Sequence, residues 1–149
     1  MCSIEATVTA SANAGRPAGA ASALEDGTEV GAVPEESMAA AAAADEKLGR
    51  DTVVLAMGEL LGVVDAFVVT SGRNARQVRT LVEEVERRVK SSSGRSPLRV
   101  EGLRDASWVL MDYGDFVVHV FLDETRDYYD LEHLWSGAPR VRWQARVAS

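Results

Sequence analysis

The chain has 149 residues and a mass of 16.0 kDa, a length that suits one domain with an appended tail. Sixteen Lys and Arg against twenty-three Asp and Glu leave a net charge of -7, which excludes unaided binding to a phosphate backbone. Cys2 is the single cysteine, so an internal disulfide and a cysteine-based zinc site are excluded, and no apolar run approaches the roughly 18 residues of a membrane span.

Residues 1–44 hold fifteen alanines, six acidic residues, one base (Arg16) and no aromatic. A segment so poor in large apolar side chains buries too little surface to offset its ordering entropy, and residues 1–36 are read as a disordered tail. It has neither the basic start and apolar run of a secretory signal nor the Arg-rich, acid-poor character of a transit peptide, which points to a cytoplasmic protein. Ser37 is placed to cap a short helix through the alanines 39–44, ending at Gly49. All nine aromatics lie between Phe67 and Trp143, and from Asp51 onward fifteen acids nearly balance thirteen bases. The folded domain is therefore expected over residues 37–141, with 142–149 as a second tail.

Residues 53–57 and 66–70 are short apolar runs and predict two buried strands. Asn74 followed by Gln77 is a capping pair opening a helix, along which Val78, Leu81, Val82, Val85 and Val89 fall on one face. The other face carries Glu and Arg/Lys four residues apart, and Gly94 ends the helix. Residues 98–101 predict a third strand. Residues 108–112 and 116–121 flank Tyr113-Gly114-Asp115 and predict a hairpin. Residues 127–135 predict a short helix, stopped by Gly137 and Pro139. This order gives an α/β fold with a mixed five-stranded sheet and flanking helices.

Three constellations carry possible chemistry. Residues 70–74 join a strand to a helix amino terminus, a place for an anion with Arg73 and Arg76 beside it. With one glycine and no Gly-Lys-Ser/Thr ending, the plain helix cap is the commoner meaning. Asp112 and Asp115 beside His119 suggest a metal or acid–base site, yet aspartates flank tight turns for conformational reasons, and strand alternation puts His119 between Val117 and Phe121. No cofactor or metal is expected. Third, Trp108, Tyr113, Phe116, Phe121, Tyr128, Tyr129 and Trp135 crowd into 28 residues interleaved with acids. Aromatic anchors ringed by negative charge suit a basic protein partner.

The run from Trp108 to Phe121, containing Asp112-Tyr113-Gly114-Asp115 and His119, resembles the ribosome silencing factor family, also called RsfS or Iojap-like. So do Arg126, Tyr129, Leu131, Glu132, Leu134 and Trp135, and, upstream, Asp65, Phe67, Val68, Val69, Ser71, Asn74, Arg76 and Gln77. The resemblance implies a fold related to nucleotidyltransferases and a protein often found as a homodimer. It implies a non-enzymatic repressor that binds the large ribosomal subunit through its protein numbered fourteen, blocks joining of the small subunit and lowers translation when nutrients are scarce. Outward-facing partner contacts are then expected at Asp112, Tyr113, Asp115, His119, Arg126, Tyr129, Glu132 and Trp135. The competing interpretation is a nucleotide-binding or nucleotidyltransferase-like enzyme using Asp112, Asp115 and the Ser71-Gly72 loop. The Asp-x-Asp pair and Gly-Ser motif of such enzymes are missing from this sequence.

Overall fold

A computed structural model describes residues 33–144. The tail expected over residues 1–36 therefore lies almost wholly outside the described residues, as do positions 145–149. In chain order the elements are α1 (Glu35–Glu46), β1 (Arg50–Ala56), α2 (Gly58–Leu61), β2 (Ala66–Gly72), α3 (Ala75–Ser93), β3 (Arg99–Glu101), β4 (Trp108–Asp112), β5 (Phe116–Leu122), α4 (Asp123–Tyr129), α5 (Leu131–Leu134) and β6 (Arg140–Val141).

The strands form one mixed sheet of six, ordered β3-β4-β5-β2-β1-β6. Strand β2 runs parallel to β5, and the other neighbours are antiparallel. The expectation of five strands is corrected to six. The missed strand, β6, has two residues, too few to leave a pattern in the sequence. It adds to the edge at Val54 and Leu55, where the Ala56 N–H also donates to the Pro139 carbonyl. Strands β2 and β5 sit at the centre, buried along almost their whole length, which is why both are dominated by apolar side chains.

Helices α1 and α3 pack together and cover one face of the sheet. Ala40 to Ala44 are all buried, so small side chains let α1 lie close against its neighbours. The approach is tightest at Gly49, where a Cβ would collide with the Thr70 Oγ1. Ser37 is not the cap expected of it. The helix starts two residues earlier, behind Pro34, and the buried Ser37 hydroxyl donates back to the Pro34 carbonyl at 2.6 Å. Helix α3 opens as its sequence demands, with the Asn74 side chain accepting from the Gln77 N–H at 2.8 Å. Its four valines and one leucine at helical spacing are all buried against the sheet side. The buried Glu84 pairs with Arg87 at 2.6 Å, and Arg88 bridges to Glu46 of α1.

The opposite face is covered by α2, α4 and α5. The single helix expected over 127–135 is two short helices, because Asp130 adopts a left-handed conformation (φ 48, ψ 53) that breaks the run. The packed region also reaches past both expected boundaries. Val33 is buried at one end, and Trp143 at the other donates its Nε1–H to the Thr52 carbonyl at 3.2 Å.

Candidate partner-binding surface

The eight residues expected to face a partner do not share a surface. Tyr113 lies on the α1/α3 face, stacked on Phe116 with ring centroids 4.6 Å apart. Its hydroxyl is buried without a hydrogen-bond partner, and burial pushes its pKa up to about 12. His119, Tyr129 and Trp135 lie on the other face, around Phe67, Trp108 and Phe121. Four of the eight (Tyr113, His119, Arg126 and Trp135) are buried within the chain, which corrects the expectation that they point outward. Both faces of the central strands are covered, so alternation along the hairpin offers no solvent side.

The aspartates beside the turn are held by structure. Asp112 accepts the Gly114 N–H at 2.8 Å and so closes the hairpin turn. Asp115 pairs with Arg95 at 2.8 Å, and the same guanidinium donates to the Tyr113 carbonyl at 2.6 Å. This pairing holds the Arg95 pKa above its ordinary range. His119 is far from such chemistry in kind. Its Nδ1 accepts the Trp108 Nε1–H at 3.1 Å, so the ring proton of the neutral form sits on Nε2. Burial alone lowers its pKa to about 3, and it is a neutral core residue at any physiological pH. No group of three or more potential metal ligands occurs among the described residues. The Thr70–Asn74 loop is likewise occupied by its own chain. Asn74 takes the Gln77 N–H, and the Gln77 Oε1 takes the Arg73 N–H at 2.8 Å.

Arg126 organises the second face. It projects from the last turn of α4 into a buried site where every one of its five N–H donors is matched. Nε donates to Glu132 Oε1 at 3.0 Å and Nη2 to Glu132 Oε2 at 2.8 Å, a two-pronged pair. Nη1 donates to the Arg50 carbonyl at 2.6 Å and to the Ser71 Oγ at 3.1 Å, and Nη2 also donates to the Asp51 carbonyl at 2.7 Å. The two carbonyls are aimed by an irregularity in β1, where the register shifts between Arg50 and Val53 and Asp51 adopts φ 46. Hydrogen bonding from Arg126 holds the Glu132 carboxyl below its usual pKa.

Within the aromatic stretch, the outer side of α4 and α5 remains accessible. Tyr128 is 81% exposed and Leu134 44%, with Glu124, Asp127 and Asp130 exposed beside them in the chain. Tyr129, half-buried, joins this surface to the core: its ring is 4.7 Å from Trp108 and 5.0 Å from Tyr128. Sequence reasoning chose Tyr129 and passed over Tyr128 and Leu134. The acidic spacing around them was the available signal, and it did not say which ring faces out.

Residues 32–149 match the protein family described as "Ribosomal silencing factor during starvation". The chain belongs to this family. It is 40% identical over 100 residues to the ribosomal silencing factor RsfS of Bacillus subtilis, covering 67% of this chain and 84% of that protein. A crystal structure of a protein from Chromobacterium violaceum is 38% identical, with a TM-score of 0.65 over 69% of this chain and 85% of that one. A more distant relative, 33% identical over 89 residues, is the mouse "Mitochondrial assembly of ribosomal large subunit protein 1"; the match covers 58% of this chain and 39% of that protein. Membership of a ribosome silencing family agrees with the resemblance carried by the hairpin and last helices.

Proposed function

We propose that this chain is a cytoplasmic, non-enzymatic repressor that binds the large ribosomal subunit through its basic protein numbered fourteen and keeps the small subunit from joining. The observation that carries the reading is the exposed Tyr128 and Leu134 among the acids of α4 and α5, in a chain whose family is named for ribosome silencing. An acidic surface is steered toward a basic ribosomal protein, and an exposed aromatic supplies an anchor once water is excluded. The mouse relative is named for assembly of the large ribosomal subunit, which favours that particle as the partner.

The contacts of this surface differ from those the sequence predicts. Tyr128, Leu134 and the half-buried Tyr129 touch the partner, with Glu124, Asp127 and Asp130 as its charged rim. Asp112 and Asp115 stay at the hairpin turn, where the Gly114 N–H and Arg95 engage their carboxylates, and are left out of this surface. His119, Arg126, Glu132 and Trp135 support this surface from within, whereas Tyr113 packs on the opposite face of the sheet. A non-enzymatic role is favoured over a nucleotidyltransferase-like one because Asp112, Asp115 and His119 hold separate structural bonds and share no site.

Co-sedimentation with isolated large subunits, small subunits and assembled ribosomes tests the proposal. Selective pelleting with large subunits, weakened at least tenfold by Tyr128→Ala, is the expected result. Failure of folded protein to pellet with any particle of its own organism overturns it.

A further inference from the structure

The two short helices that carry the exposed surface cannot hold their own shape. Helix α4 has seven residues and α5 four, far below the length at which a helix is stable alone. They meet at the left-handed Asp130, and their relative angle must be set from outside. Packing and polar bonds both reach them. Leu131 and Trp135 are buried against the sheet, which holds α5 by non-directional packing. Arg126 makes close directional bonds to both sides: it grips the Glu132 carboxylate at the start of α5 and the Arg50 and Asp51 carbonyls at the start of β1, beside the longer ion pairs Arg50–Asp123 at 3.6 Å and Arg140–Glu132 at 3.9 Å.

We infer that Arg126 is the positioning residue of the partner-binding surface, fixing the α4–α5 angle and with it the placing of Tyr128 against Leu134. This rests on the reading of that surface as the docking face. With all five donors matched inside the chain, the guanidinium has none left for a partner, so its effect on binding is transmitted through α4 and α5. The irregular start of β1 then has a purpose: it turns two successive carbonyls toward one planar guanidinium. A lysine at 126 keeps the charge but is a single point donor group without the fork, and it cannot reproduce this set of bonds.

The test compares Arg126→Lys, Tyr128→Ala and the double variant in the full chain. Binding is measured against purified large ribosomal subunits, and backbone hydrogen exchange is followed in parallel. Positioning predicts that Arg126→Lys weakens binding about tenfold and that the double variant is scarcely worse than Tyr128→Ala, because a misplaced ring and a missing ring lose the same contact. It also predicts faster exchange in residues 123–138 with β2 and β5 unchanged. Glu132→Gln, which keeps the shape and part of the bonding, gives a smaller change in the same direction and serves if Arg126→Lys folds poorly. Fold-losses that multiply, unchanged exchange in 123–138, or uniformly faster exchange across the chain each overturn the inference. If the unaltered protein binds no ribosomal particle, the docking function falls, and the exchange pattern still decides whether Arg126 holds the segment.

Discussion

The two faces of the sheet are built on opposite plans. The α1/α3 face is aliphatic and alanine-rich and is covered by helices of 12 and 19 residues. The other face is aromatic, built on Phe67, Trp108, Phe121 and Trp135, and is covered by helices of four to seven residues. The first face needs little directional bonding, because α3 buries a long apolar stripe and α1 packs its row of alanines closely. The second relies on a buried guanidinium to hold its cover and tolerates buried nitrogens without hydrogen-bond partners at His119 Nε2 and Trp135 Nε1. A face covered by short pieces opens more easily, and the exposed Tyr128 and Leu134 stand on that face.

Truncating a ring on each face gives the sharpest test of this contrast. Phe116→Ala and Phe121→Ala each remove a fully buried ring and are expected to cost about 3–5 kcal/mol. In urea unfolding, one cooperative transition in both variants would mean the faces stand or fall together. A separate early transition in Phe121→Ala alone would mark the aromatic face as an independent unit.

A pH titration isolates the aromatic face next. His119 has a folded pKa near 3, far below its ordinary 6.5, so the unfolded chain binds a proton that the folded chain refuses. Stability is unaffected above that ordinary value and falls as pH drops through the window from 6.5 toward 3. Between pH 7 and pH 5 the loss from this residue is about 2 kcal/mol, and His119→Gln, which keeps an acceptor for Trp108, should flatten that slope. An equal slope in wild type and variant would assign the acid sensitivity elsewhere.

The helical face answers to its cap. Asn74→Ala should cost about 1 kcal/mol by freeing the Gln77 N–H, read as a lower denaturant midpoint at unchanged slope. Smallest of all, Tyr128→Ala should change stability by less than about 0.5 kcal/mol, since that side chain is already in solvent, while weakening binding to the large subunit. A large stability loss would show that Tyr128 is held by the fold and is no free anchor.

How much of this was legible in the sequence differs between the faces. The helical face was nearly transparent: the spacing of Val78, Leu81, Val82, Val85 and Val89 and the Asn74 cap carry their structure locally. The aromatic face was not. Arg126 and Glu132 are six residues apart, a spacing that no single helix brings together, and only the break at Asp130 makes them partners. The eight expected contacts lie in one dense stretch of sequence, but alternation along β5 sends Phe116, with Tyr113 stacked on it, and His119 to different cores.

By itself the sequence determined the order of the first five strands and the two long helices, the α3 cap, the hairpin at Gly114 and the family, because these depend on local periodicity, turn chemistry and motif spacing. Tertiary structure alone decided the sixth strand, the division of the last helix, and which rings and charges are buried. Those depend on which element covers which face, a relation between residues such as Arg50, Ser71, Arg126 and Glu132 that lie far apart along the chain and converge only when it folds.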